Sequence, residues 1–368
     1  MKASRYLFIT AILMLFFLAK AEATQNENKP PLNVILLIGD GMGLSQLSSA
    51  YYYGDQEPSF SKFNHIGLIN TSCTNTKITD SAAGATAFAT GQRTYKGAIG
   101  VSPIDTSAIT NIVEILSPLG YKTGLVATYS VTHATPAAFY AHIDSRDKQE
   151  EIAEQLVTSD VDFFASSGLP YFNDRKDGKN LIPLLEANGF EMEIQTLIAK
   201  QYKPSKKYGY LMPPESMPKK VEGRDNFLPD ATKMALDYLS QNKHGFFLMV
   251  EGSQIDAAGH KNKSQMLIQE VLDFEKAVGE ALEFAKKNKN TLVIVTADHE
   301  TGGFTLGAKN GTKDDYDSHD YSIIEPSFAT YGHSATLVPV FTSGPHAEQF
   351  QGIYNNNELF HKIISLIK

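Results

Sequence analysis

Six short apolar runs, at residues 34–38, 123–128, 161–165, 246–250, 291–296 and 337–342, recur along the chain with helix-like segments between them. This pattern constrains the fold more than any other feature. A run without polar alternation needs cover on both faces, and strands that alternate with helices assemble into an α/β fold with a largely parallel sheet. The intervening segments read as helices. Residues 81–88 are rich in Ala and Thr and follow Thr79-Asp80, a helix-start signal. Ile109, Ile112, Val113 and Leu116 recur at helical spacing. Leu267, Val271, Phe274, Val278, Ala281 and Phe284 form the apolar stripe of an amphipathic helix over 266–285, and residues 359–367 close the chain as another. Two stretches break the rhythm. Residues 168–226, rich in Lys, Pro and Gly, are expected to form an insertion with structure of their own, and the polar stretch 309–331 a surface excursion.

The N-terminus has a different character. Lys2 and Arg5 precede an apolar stretch over 6–18, and Ala19-Lys20-Ala21-Glu22-Ala23 follows. A basic start, a short apolar run and an A-x-A-like site make a signal peptide over 1–23. The run falls short of the ~18 residues of a membrane-spanning helix, so no stable membrane span is expected after cleavage. The chain is expected to be periplasmic or secreted, with 24–32 as a linker and 33–368 as the folded domain. The single cysteine, Cys73, excludes an internal disulfide and any Cys-rich metal site. A net charge of −8 makes a nucleic-acid-binding surface a poor expectation.

Open α/β sheets bind ligands at the carboxyl ends of their strands. Here those ends carry unusual polar residues. Run 34–38 is followed by Gly39-Asp40-Gly41, run 246–250 by Glu251-Gly252-Ser253-Gln254-Ile255-Asp256, and run 291–296, through Ala297, by Asp298-His299-Glu300. Run 123–128 leads on to His133-Ala134-Thr135, while Gly332-His333-Ser334 stands just before run 337–342. One Asp after a strand is ordinarily a cap or turn residue. Several Asp and His residues converging on one edge suit zinc, and the oxygens of Asp40, Glu251 and Thr135 suit a harder cation such as magnesium. Asp256 and His260 either lie one helical turn apart or flank a loop. His142 and His244 stand away from the acids and are assigned to structure. Ser81 opens a small-residue helix; such a Ser is ordinarily an N-cap, and the alternative is a nucleophile left exposed by small neighbours. It lacks the G-x-S-x-G elbow.

Five blocks together resemble the alkaline phosphatase family, in its compact bacterial form: Ile38-Gly39-Asp40-Gly41-Met42-Gly43, Thr79-Asp80-Ser81-Ala82-Ala83-Gly84-Ala85-Thr86-Ala87, His133-Ala134-Thr135-Pro136-Ala137, Val250-Glu251-Gly252-Ser253-Gln254-Ile255-Asp256 and Thr296-Ala297-Asp298-His299-Glu300-Thr301-Gly302-Gly303-Phe304. The resemblance implies one large α/β domain, a central mostly parallel sheet with helices on both faces and small insertions. It implies hydrolysis of small phosphate monoesters through a phosphoserine on Ser81, with two zinc ions and one magnesium ion. Carried over, it assigns Asp256, His260 and His333 to one zinc, and Asp40, Asp298, His299 and Ser81 to the second. Asp40, Thr135 and Glu251 go to magnesium, Arg146 to the phosphate clamp, and Asp80 to positioning that arginine. It also admits a homodimer. Two positions depart from familiar members: Ala257 replaces Lys, His or Trp, and His133 replaces an Asp of the enteric enzyme. Superfamily sulfatases need a Cys-x-Pro-x-Arg type motif at the nucleophile, whereas Ser81 has Asp80 and Ala82 as neighbours. Phosphodiesterase relatives usually have Thr as the nucleophile and lack the magnesium set. A phosphate- or metal-binding protein without turnover would leave Ser81 and Arg146 unexplained.

Overall fold

The computed structural model describes residues 31–309 and 318–367. The expected signal peptide (1–23) and the linker up to residue 30 lie outside the described residues, as does part of the expected excursion at 310–317.

Fourteen strands are present among the described residues: β1 (Asn33–Gly39), β2 (His65–Asn70), β3 (Lys122–Ser130), β4 (Phe163–Ser167), β5 (Phe190–Ile194), β6 (Lys207–Leu211), β7 (Phe246–Gly252), β8 (Thr291–Thr296), β9 (Glu300–Thr301), β10 (Thr305–Lys309), β11 (Asp320–Ser327), β12 (His333–Ser334), β13 (Val338–Ser343) and β14 (Gly352–Asn355). Ten of them form one sheet in the order β14-β2-β13-β8-β1-β7-β3-β4-β6-β5. β13 alone runs against the rest, pairing antiparallel with β2 and β8. The central strands are apolar because both of their faces are covered: Val34 to Ile38 and Phe246 to Val250 are all fully buried.

The helices pack in two groups. The long Ser264–Lys287 helix lies against the Leu44–Tyr53, Phe227–Leu239 and Gln254–His260 helices and against β1, β7 and β8. The Ser81–Thr90 helix packs with the short helices Ile112–Leu116 and Ala134–Ala137 and with the C-terminal Glu358–Ile367 helix. The described residues from Leu32 onward form one compact unit. None of the described helices is long and apolar enough to cross a membrane.

The stretch 168–226 departs from the expected insertion. This stretch is not a separate insertion, since it contributes β5 and β6 to one edge of the central sheet. β6 buries Tyr208 and Tyr210, which pack with Phe163, Tyr202 and Tyr238. The excursion at 309–331 is in its described part the β10–β11 hairpin, largely exposed on its β11 strand.

The parallel register sets the carboxyl ends of the central strands side by side. Ile38 pairs with both Glu251 and Thr296, and Ala127 pairs with Glu251. The residues just beyond β1, β3, β7 and β8 therefore leave the sheet at one edge. β13 is reversed, so its amino end lies at that edge. This is why His333 precedes its strand while the other site residues follow theirs.

Candidate active site

Each site residue reaches the edge by a local device. Gly41, at φ +71°, turns the chain after Asp40, and a Cβ there would stand 2.7 Å from Thr301 Oγ1. The Ser81–Thr90 helix is capped by Asp80, whose carboxylate accepts from the Ala83 N–H at 3.1 Å. Ser81 is thus the first helical residue, not the cap. Gly84 lets this helix press on the strand-end loop, because an added Cβ would lie 3.1 Å from Asp298 Cβ. Asp256 and His260 do sit one turn apart, on the Gln254–His260 helix.

Ser81 Oγ is buried, 3.4 Å from each oxygen of Asp40 and 3.3 Å from His299 Nε2. Three groups of ligating side chains surround it: Asp40 with Asp298 and His299; Asp256 with His260 and His333; and Asp40 with Glu251 and His133. In the first, His299 Nε2 lies 3.5 Å from Asp40 and 3.3 Å from Asp298. In the second, the Nε2 atoms of His260 and His333 face each other at 3.0 Å and lie 3.4 and 3.5 Å from Asp256. The His333 ring stacks on His299 at 3.6 Å.

The opposite ring nitrogens are engaged behind these histidines. His260 Nδ1 donates to the Tyr331 carbonyl at 2.6 Å and His333 Nδ1 to the Thr79 carbonyl at 2.8 Å. With Nδ1 held in this way, each ring turns its Nε2 toward the centre, the orientation of a metal-ligating imidazole.

The charge balance points the same way. Asp40, Glu251, Asp256 and Asp298 are four acids within the three groups. Burial first, then the charges of Asp298, Asp256 and Glu251, raise the Asp40 carboxyl well above its ordinary value. Burial pushes Glu251 up to about 7. Burial would raise Asp256 too, but the His333 hydrogen bond and the neighbouring imidazoles hold it below the ordinary range. Thr135 Oγ1, Glu251 Oε1, Asp298 Oδ2 and His133 Nδ1 are buried without a hydrogen-bond partner. Such orphans are costly unless something else satisfies them, and in an acid-rich centre cations do so. The residues therefore fit divalent cations.

Arg146 completes the site. Its Nη1 donates to Asp80 at 3.0 Å and its Nη2 to His133 Nε2 at 3.1 Å. Asp80 also accepts from the Gly97 N–H at 3.1 Å. Burial would raise the Asp80 carboxyl, but Arg146 and these backbone donors bring it below its ordinary value. Burial and the adjacent guanidinium lower His133 to about 3, so the imidazole that receives the arginine is neutral.

All the sequence-derived candidates thus gather at one edge: Asp40, Ser81, Thr135, Arg146, Glu251, Asp256, His260, Asp298, His299 and His333. His142 bonds Gly100 and Glu114 among elements outside this centre. Sequence reasoning placed His133 at this edge and marked it as a departure without giving it a ligand role, whereas the structure brings it into the third cluster. It missed Ser253, whose hydroxyl donates to Glu251 at 2.6 Å and accepts from the Thr128 and Tyr129 N–H groups. It also missed Thr301, which bonds Asp256 and His299. Their only signal is sequence proximity to Glu251 and His299.

Residues 32–323 match the alkaline phosphatase family. Alkaline phosphatase 4 of Bacillus subtilis is 42% identical over 312 residues, covering 80% of this chain and 66% of its own length. The chain thus spans slightly less than two thirds of that relative. The alkaline phosphatase of the Antarctic bacterium TAB5 is 51% identical and superposes with a TM-score of 0.88, over 92% of this chain and 98% of that one. A histidine-to-glutamate mutant of the TAB5 protein is known with Mg bound in its M3 site, again at a TM-score of 0.88 and 51% identity over the same shares of the two chains.

Proposed function

The chain belongs to the alkaline phosphatase family, and on that premise we propose that it hydrolyses small phosphate monoesters through a phosphoserine on Ser81, using two zinc ions and one magnesium ion. The observation that carries the reading is the setting of Ser81. Its hydroxyl is at a helix N-terminus, within 3.4 Å of Asp40 and His299, beside an arginine clamped by Asp80.

In this reading Asp256, His260 and His333 hold one zinc, and Asp40, Asp298, His299 and Ser81 hold the other. Asp40, Thr135 and Glu251 hold magnesium, as suits three oxygen donors. Bound there, the cations would make Ser81 easier to deprotonate and offset negative charge on the entering and leaving oxygens. The rest falls to the chain. Two of the five N–H donors of Arg146 are committed to Asp80 and His133, and the others serve the phosphoryl oxygens. The Ser81 oxygen forms a bond to phosphorus as the bond to the alcohol oxygen breaks, and the alcohol leaves with a proton. Water then displaces Ser81 from phosphorus, releasing inorganic phosphate and restoring the hydroxyl. The Ser81–Thr90 helix turns its N–H end toward the same anion. Because the phosphoryl group carries most of the recognition, monoester specificity is broad. The domain spans 33–368, and the signal peptide directs it to the periplasm or the medium.

The test measures turnover of a chromogenic phosphate monoester, phosphodiester and sulfate ester side by side. Monoester turnover that is lost on chelation and restored by zinc with magnesium supports the reading. A fully active preparation without zinc, or a preference for diester or sulfate ester, overturns it.

A further inference from the structure

We infer that Thr301 is a positioning residue that couples the two histidine-bearing cation clusters through its single hydroxyl. The inference rests on the two-zinc reading above and adds a residue that holds no cation itself.

The geometry is specific. Thr301 is buried, and its Oγ1 lies 2.6 Å from Asp256 Oδ1 and 3.1 Å from His299 Nδ1. The first contact reaches the cluster of Asp256, His260 and His333, and the second reaches that of Asp40, Asp298 and His299. A hydroxyl has one proton to give. Asp256 is an acceptor, so Thr301 donates to it, and the His299 Nδ1–H in turn donates to Thr301. The relay fixes the His299 tautomer with Nε2 as a lone pair toward Ser81, 3.3 Å away. It also fixes one oxygen of Asp256, setting how that carboxylate turns toward His260 and His333.

The backbone holds the hydroxyl in place. Thr301 N–H donates to the Gly41 carbonyl at 3.1 Å, and its carbonyl accepts from Gln46 at 2.8 Å. Thr301 is the register partner of His333 across the β9–β12 pair. Two glycines make room for its side chain. A Cβ on Gly41 would lie 2.7 Å from Thr301 Oγ1, and one on Gly259 would lie 2.9 Å from Thr301 Cγ2. Gly41 follows Asp40 and Gly259 precedes His260, so the threonine is wedged between the segments that carry ligands of both clusters.

Coupling follows from shared ordering. A cation that immobilises the His299 ring fixes the hydroxyl, which fixes Asp256 for the neighbouring site. By linkage the effect is reciprocal. Removing the hydroxyl leaves each site its ligands and takes away their common alignment.

The probe is zinc alone, titrated into the metal-stripped full chain in competition with a chromogenic chelator that resolves two stepwise affinities. Thr301→Val keeps the shape and removes the hydroxyl, while Thr301→Ser keeps the hydroxyl. The second zinc is expected to weaken relative to the first by about 10- to 100-fold in Thr301→Val and to stay near wild type in Thr301→Ser. Thr301→Ala repeats the measurement should the valine fail to fold. Unchanged spacing of the two steps in Thr301→Val or Thr301→Ala, even with a lower thermal midpoint of the zinc-free protein, would mean a packing role and overturn the inference. So would a Thr301→Ser variant as impaired as the valine. A wild-type chain that takes up fewer than two zinc ions overturns the two-zinc reading itself, an outcome distinct from the others.

Discussion

Ser81 carries no capping duty, because Asp80 supplies the bond to the Ala83 N–H. Ser81→Ala is therefore expected to leave the unfolding free energy within about 1 kcal/mol of wild type, measured by chemical denaturation. The same change should abolish the phosphoserine and lower kcat by orders of magnitude, with residual hydrolysis from the remaining site groups. Near-normal turnover would rule out the nucleophile role. Ala257 offers a second test at this scale. It is half-buried beside Asp256 and has no charge to give a phosphoryl oxygen. A charge-assisted hydrogen bond is worth about 1.5–3 kcal/mol, so Ala257→Lys should tighten inhibition by phosphate and, where release limits the cycle, slow turnover. An unchanged or weaker inhibition by phosphate in a variant that retains its metals would refute this. Arg146 came only with the family resemblance, whereas the candidate ligands were legible in the sequence because several Asp and His residues converge on one set of strand ends, where any one alone would pass for a cap or turn. Ser253 and Thr301 were not, since a hydroxyl residue becomes significant only through the partner it meets across the fold, as Thr301 meets Asp256 45 positions away.

The Ser81–Thr90 helix shows how an element positions chemistry. All ten of its residues are buried, and its small side chains let it sit directly against the strand-end loop. Gly84→Ala sets two effects against each other. Alanine gains about 1 kcal/mol of helix propensity, yet its Cβ would press on Asp298 at 3.1 Å, forcing a shift of a few tenths of an ångström. The expected outcome is a thermal midpoint close to wild type with kcat/KM down about tenfold, because a small displacement at a reacting centre costs more in rate than in stability. A variant with full activity would show that the loop can yield without moving Asp298. Among elements, the long apolar strands and the amphipathic Ser264–Lys287 helix were legible because their periodicity is strong. β5 and β6 were not. Both are five-residue strands, β5 at the sheet edge and β6 beside it, and β5 carries Glu191 and Glu193, which ion-pair with Lys200. An edge strand tolerates charge, so β5 looks like a loop, and β6, with Gly209 among only five residues, is too short for its pattern to stand out.

At the scale of the whole molecule, one sheet edge gathers acids from strands far apart in sequence, and that convergence was legible because parallel strands all end on the same side. The exception is His333, brought in at the amino end of a strand whose reversed direction sequence alone does not reveal. The gathered charge has a consequence for the metal-stripped protein. Burial raises Asp40 well above its ordinary value and Glu251 from 4.5 to about 7. For an acid raised in this way the folded state binds more protons than the unfolded chain between the two values. The stability it contributes is fully present below the unfolded value and is lost as pH rises through the folded one. For Glu251 alone the loss amounts to about 3 kcal/mol. Buried His133, held at about 3, acts in the opposite sense and gains stability as pH rises toward its unfolded value. The acid contribution is therefore isolated by comparison. The metal-stripped wild type should lose stability relative to a metal-stripped Glu251→Gln variant as pH rises from 4.5 toward 7, and added zinc and magnesium should stabilise the wild type most at the upper end, where the carboxylates are ionised and ready to bind. Thermal melts across that range, with and without the cations, provide the check. A wild-type midpoint that runs parallel to that of Glu251→Gln across the whole range would mean that Glu251 is not an acid raised by burial in this centre.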